Sequence, residues 1–284
     1  MIPGFVLDGS RMPVTSPAYA RLAAVYPGLR VTEGEPRCGA GWVGTAELAA
    51  GGTALDAFTG RDADEIAREY GRPPRPDVAA ALALHRYAWP ACLLFTVPWF
   101  LHRRVPRLPA ADVSFHRASG RMTVRTRSFA CLPGDPAAAL PGARVLPTEA
   151  ALRDELRSAI AEHLAPVLDA FRPRLRRGPH ALWGMATDEI TEGLWHIGGL
   201  MGREERAVAD LAALLPGGTA PYAGGARFRS AGQDRPRTAD APRGACTRDR
   251  LTCCLFYTVS PQEACDSCPR GTGSDRIGRR ASVA

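Results

Sequence analysis

The stretch from Asp77 to Leu101, DVAAALALHRYAWPACLLFTVPWFL, decides the fold class. Apolar residues fall on every side of its helical wheel, and a helix that is hydrophobic all round belongs in the centre of a bundle. Asp77 is expected to cap the helix, Pro90 to kink it, and Arg103 and Arg104 to close it favourably for the dipole. Its most apolar part, Tyr87 to Leu101, is fifteen residues long and carries two prolines. That falls short of the roughly 20 residues needed to span a bilayer. The sequence therefore predicts a mainly helical α+β protein built around one buried helix.

Upstream of that stretch, Ser16-Pro17 supplies a hydroxyl N-cap followed by proline at the first helical position, predicting a helix to about Tyr26. A loop rich in glycine and charge, holding Cys38 and Trp42, leads to a short helix from Thr45 and another over Asp62 to Tyr70. Downstream, apolar residues alternate in Asp112 to Arg117 and Arg121 to Arg127, on either side of Ala118-Ser119-Gly120. This predicts a small antiparallel β-hairpin. Leu132 to Pro147 reads as a proline-rich loop. From Thr148 onward, Leu152, Leu156, Ile160, Leu164, Val167 and Phe171 step by three or four along one face, the clearest amphipathic helix of the chain. Helices over His180 to Leu200 and Glu204 to Leu215 follow. Pro216 to Arg243 reads as a flexible connector and the residues beyond Arg270 as a disordered tail.

The chain of 284 residues has a net charge of +7, and all 36 of its basic residues are arginine. Arginine grips carboxylates and planar anions in bidentate fashion. A basic surface suits nucleic acid, an anionic membrane face, an acidic redox partner or an anionic metal complex. Nucleic acid is the weakest of these, because the arginines are scattered and no helix-turn-helix, zinc-finger or aromatic RNA-binding pattern occurs. No glycine-rich phosphate loop opens a helix, so nucleotide and flavin binding lack support. The first residues show neither a basic region nor a long apolar one, which reads as a cytoplasmic protein without a signal peptide or transmembrane segment. Peripheral membrane association is left open.

A second stretch carries the chemistry: Arg250 to Arg270, RLTCCLFYTVSPQEACDSCPR. It places Cys253 and Cys254 side by side, then ten residues, then Cys265, two residues and Cys268. Four thiolates from one short segment make a soft, anionic tetra-sulfur site, suited to zinc or to an iron–sulfur cluster. A structural zinc knuckle normally opens with cysteines two to four residues apart, and adjacent thiols can share a metal only where the backbone turns sharply. In a reducing compartment a disulfide ranks below both. Of the other cysteines, Cys92 lies in the apolar helix and reads as a small buried hydrophobe, and Cys246 offers a substitute ligand. Trp183 and Trp195 read as core residues, His180 and His196 beside them as pocket candidates, and Arg172, Arg174, Arg176 and Arg177 as a solvated helix end or an anion contact.

The spacing Cys-Cys-x10-Cys-x2-Cys-Pro, with an arginine and an aromatic nearby, resembles the C-terminal motif of the FhuF-type ferric-siderophore reductases; Leu182-Trp183-Gly184 resembles the family more loosely. The resemblance implies a [2Fe-2S] cluster held by Cys253, Cys254, Cys265 and Cys268, a spacing distinct from the plant-type and bacterial ferredoxin runs. It implies one-electron reduction of chelated Fe³⁺, with a ferric siderophore as substrate and a separate protein or reductant as electron donor. No catalytic residue beyond the cluster is then required. The organisation expected is a helical, reductase-like domain over 1–243, a cluster-binding segment over 244–270 and a tail over 271–284. The alternative is a non-enzymatic siderophore- or metal-handling protein whose four cysteines hold structural zinc. Arg248, Arg250 and Arg270 flank the thiols and would either stabilise added negative charge there or point to water.

Overall fold

The computed structural model describes residues 14–230, 246–248, 250–263 and 268–269. The helices are α1 (Ser16–Val25), α2 (Thr45–Ala50), α3 (Gly52–Tyr70), α4 (Pro76–His102), α5 (Glu149–Leu175), α6 (Pro179–Leu200) and α7 (Glu204–Leu214). The strands are β1 (Arg30–Glu33), β2 (Trp42–Gly44), β3 (Val105–Arg107), β4 (Val113–His116), β5 (Arg121–Val124), β6 (Ser128–Cys131), β7 (Ala143–Val145), β8 (Arg229–Ser230) and β9 (Cys246–Thr247). The protein is mainly helical α+β, as its sequence predicts.

Helix α4 is the axle. It packs against α1, α3, α5 and α6, and Trp99, Phe95, Phe100, Leu93 and Leu94 are all fully buried. It is also the one helix among the described residues long and apolar enough to cross a membrane, but 78% of its most apolar window is buried inside the protein. It begins at Pro76 with Arg75 as N-cap, so Asp77 sits in the first turn, bonded by Arg75, and is not the cap. The α5 stripe is buried throughout, and the Thr148 hydroxyl caps that helix by accepting from the Ala151 amide at 3.1 Å.

Where α4 and α5 face each other the core is polar. His163 Nδ1 lies 2.7 Å from the Leu108 carbonyl, which can only accept, so Nδ1 carries the proton and Nε2 is the acceptor. Tyr87 then donates to Nε2 at 2.8 Å and Thr45 donates to the Tyr87 oxygen at 2.6 Å. Burial pushes the His163 imidazole down to about 4, so the ring stays neutral.

The predicted hairpin is β4–β5, in register Val113↔Val124 to His116↔Arg121. Sequence periodicity misses what surrounds it. Strand β1 joins β5 in parallel and β2 joins β4 antiparallel, giving the order β1-β5-β4-β2. A second sheet, β3-β6-β7, takes β7, parallel to β6, from the stretch read as loop, and β3 and β6 from residues outside any predicted element. These strands are three or four residues long, too short for a period of two to register. The connector reading of Pro216 to Arg243 is corrected in its first part: Tyr222, Ala223 and Ala226 are buried, and the Tyr222 hydroxyl donates to the Arg157 carbonyl at 2.6 Å. The rest of that stretch, like the tail, lies outside the described residues.

One turn glycine is required by space as well as by conformation. Gly120 has φ +60°, and a Cβ there would meet the Gly28 carbonyl oxygen at 1.9 Å, where the hairpin meets the strand following α1. Gly120→Ala is expected to cost about 2–4 kcal/mol from left-handed strain plus a backbone clash. Urea unfolding should show a lower midpoint at unchanged slope, whereas Gly60→Ala, with open space around it inside α3, should not lower it.

Candidate metal centre

Helix α6 buries three carboxylates, Asp188 and Glu189 completely and Glu192 largely. Acidic groups there need partners, and the partners come from the cysteine segment sixty residues later in the chain. Asp188 Oδ1 accepts from Arg248 Nη2 at 2.6 Å and from the Leu251 amide at 2.9 Å. Its Oδ2 accepts from the Thr252 amide at 2.9 Å and the Thr252 hydroxyl at 2.8 Å. Arg248 also reaches Glu192 at 2.9 Å, and Arg250 donates to Glu189 at 2.9 Å. Gly184 makes room for this contact, since a Cβ there would lie 2.9 Å from the Thr252 methyl.

The other Glu189 oxygen lies 2.7 Å from His85 Nδ1 of α4, an ion pair without hydrogen-bond alignment. The Glu189 charge raises the His85 pKa against the opposing effect of burial. Burial pushes the Glu189 carboxyl up, but His85 and Arg250 outweigh it and hold the group below its ordinary value. The three carboxylates, the Arg248 and Arg250 guanidinium groups and the His85 imidazole thus form one ionic latch.

Two further arginines fasten the segment by its carbonyls. Arg177, between α5 and α6, donates to the Cys253 carbonyl at 2.7 Å, and Arg72, just beyond α3, donates to the Val259 carbonyl at 3.1 Å. An apolar patch completes the contact: Val259 is buried with Ile66 and Val78, and Phe256 meets Tyr70 edge-on with centroids 5.9 Å apart.

Of the four sequence-predicted ligands, Cys253, Cys254 and Cys268 are described and Cys265 lies outside the described residues. The backbone turns sharply after the adjacent pair, with Leu255 left-handed at φ 67° and ψ 6°, and the Leu255 amide donates to Cys253 Sγ at 3.3 Å. The Cys253 thiol is hydrogen-bonded to Cys268 and feels the charge of Cys254. Burial raises the Cys253 pKa and the two other cysteines raise it further, while the Leu255 amide lowers it. Among the described residues no three His, Cys, Asp or Glu side chains converge closely enough to hold a metal by themselves. Cys246 lies instead in β9, with Glu204 and Glu205 as its charged neighbours. Cys38 is exposed, and Cys92 and Cys131 are buried in the cores.

These residues fit an iron–sulfur cluster. The sharp turn that adjacent thiols need is present, and an amide already points at Cys253 Sγ. Arg250 Nε is buried without a hydrogen-bond acceptor, 3.9 Å from Asp188 Oδ2, and its side chain feels the charge of Cys254.

Two expectations about arginines are revised. Arg248 and Arg250 neither point to water nor stand as free cations, since each is tied to α6 carboxylates; Arg270 lies outside the described residues. Within the Arg172–Arg177 group, Arg177 has the specific role, and its ligand is a backbone carbonyl of this chain. Trp195 and Trp183 flank the core as expected, Trp195 donating to Glu204 at 2.9 Å and Trp183 packing on Tyr222. His180 is exposed, and His196 packs on Tyr26 and Trp89. The residues missed were Asp188, Glu189 and Glu192 on α6 and His85 on α4. The signal was present, as three acids within five positions of an otherwise apolar helix.

None of the curated proteins compared with the chain matches it. Residues 250–270 match the family model of the FhuF 2Fe-2S C-terminal domain, which spans the latch arginine Arg250 and all four cysteines. The chain is therefore an iron–sulfur protein whose C-terminal segment is similar to that domain and takes a [2Fe-2S] cluster as its cofactor.

Proposed function

We propose that the protein is a ferric-siderophore reductase, in which Cys253, Cys254, Cys265 and Cys268 hold the cluster. The observation that carries this reading is the family match at 250–270, on a segment that the latch, Arg177 and Arg72 fix against a large helical body. Bound there, a [2Fe-2S] cluster supplies a one-electron donor. The substrate is Fe³⁺ held by anionic oxygen chelators. One electron lowers its charge and weakens every one of those contacts, which releases Fe²⁺. No proton transfer or nucleophile is needed. The chain's own task is to hold the thiols, keep the segment docked and admit the chelate. Electrons come from a separate protein or reductant, in the cytoplasm.

A stopped-flow experiment tests the reading. Protein reduced anaerobically with dithionite and freed of excess reductant is mixed with a ferric siderophore. The oxidised absorption should return with the ferric complex and stay absent with its gallium counterpart, which cannot accept an electron. Equal recovery with gallium, or none with any ferric siderophore, refutes the activity.

A further inference from the structure

A cleft of about 620 Å³ opens between α3, α4 and the β4–β5 turn, and one residue of the cysteine segment, Phe256, reaches its wall. Phe256, two residues beyond Cys254, lines it, as does His85, whose imidazole feels the charge of Cys254. Its floor is aromatic, with Tyr26 and Trp89 in tilted contact at 5.3 Å between centroids. Its two guanidinium groups are neutralised from within. Arg117 pairs with Asp62 at 2.7 Å and Glu65 at 2.8 Å, and Arg86 pairs with Asp62 at 2.6 Å. The size falls in the range of small-molecule sites, which run from roughly 300 to 1,000 Å³. Apolar rings, two arginines already paired and the further carboxylate of Glu69 favour a bulky ligand that has an organic surface and no net negative charge, because a strongly anionic one would lose its hydration with no spare cation in return.

We infer that this cleft is the binding site for the metal chelate, which sits over Trp89 and Tyr26 against Phe256. The inference rests on the reductase reading for its ligand and on the geometry for its place. The larger cavity, about 1330 Å³ between α1, β1 and the residues around Arg125 to Phe129, includes no residue of the cysteine segment in its walls. A chelate bound there would touch no described residue of that segment.

The test uses full-length, cluster-loaded protein and redox-inert gallium chelates, with binding read by titration calorimetry. Neutral gallium tris(acetohydroxamate) should bind, and trianionic gallium tris(catecholate) should bind more weakly. Glu69 is exposed at the rim, so Glu69→Trp narrows the cleft from outside without entering the core. It should weaken gallium-chelate binding by about tenfold or more. Its visible absorption and its oxidation by ferricyanide, which needs no cleft, should match wild type. Ala24→Trp, exposed in the other cavity, should leave binding unchanged. No binding of the neutral chelate to wild type, unchanged binding in Glu69→Trp, or loss only in Ala24→Trp would each overturn the assignment. Reduction of ferric chelate that persists unaltered in Glu69→Trp would remove the cleft and leave the reductase reading standing. Gallium binding that depends on the cleft in a protein that reduces no ferric chelate would do the reverse.

Discussion

Asp188→Ala is expected to strip the protein of its cluster while leaving the helical body folded. The Asp188 carboxylate has no solvent exposure and accepts four hydrogen bonds, all from the segment that precedes Cys253. Without it, the Arg248 guanidinium stays buried opposite Glu192 alone, and the Leu251 and Thr252 amides lose their acceptor. Breaking a buried ion pair from one side costs about 3–5 kcal/mol, and each orphaned amide adds about 1–3 kcal/mol to that. The segment avoids these costs by undocking, which leaves the apolar contacts of α4, α5 and α6 intact. At about 1.4 kcal/mol per decade, even the lower figure reduces the ratio of docked to undocked segment by about a hundredfold. Iron and sulfide measured after anaerobic desalting should fall to a small fraction of wild type, while far-ultraviolet circular dichroism changes little. Asp188→Asn keeps an acceptor for one amide and should fall between the two. Full iron and sulfide in Asp188→Ala would show that the latch does not hold the segment.

Replacing a thiol should be as severe and more selective. Wild-type protein purified anaerobically should carry two irons and two inorganic sulfides per chain. Cys268 is 4% exposed and touches Cys253, so Cys268→Ser exchanges a soft ligand for a hard hydroxyl that resists ionisation. It should abolish or strongly shift the visible absorption, and so should Cys265→Ser. Cys38 is exposed, and Cys38→Ser should leave iron, sulfide and spectrum unchanged. Stoichiometric zinc without sulfide in protein from iron-replete cells would sink the cluster assignment altogether.

What the sequence disclosed follows from the length scale of each signal. The all-round apolar run of α4 and the 3.6-residue stripe of α5 extend over many turns, so both helices are legible and their burial is as expected. The cysteine spacing is local too, and so is the left-handed turn that the adjacent pair demands. Strand β7 lies close to its partner β6 but is too short for a period of two to register, while β1 pairs in parallel with β5, far away in the chain, and no short window of sequence contains both. The latch is hidden for the same reason. Asp188 and Arg248 read separately as a helix acid and a loop base, and only the fold shows that each neutralises the other out of water.

That neutralisation governs how the protein's field acts on the redox centre. A lone arginine acts as a monopole whose potential falls with the first power of distance, whereas an arginine beside its own carboxylate acts as a dipole and fades faster. With His85 protonated, the three α6 carboxylates are matched by three cations, so the latch brings orientation to the site but almost no net charge. Short-range donors to sulfur, of which the Leu255 amide on Cys253 is in place, then weigh more on the reduction potential than the latch charges do. Being largely buried, the latch is also shielded from mobile ions, so changes in ionic strength should reach it weakly.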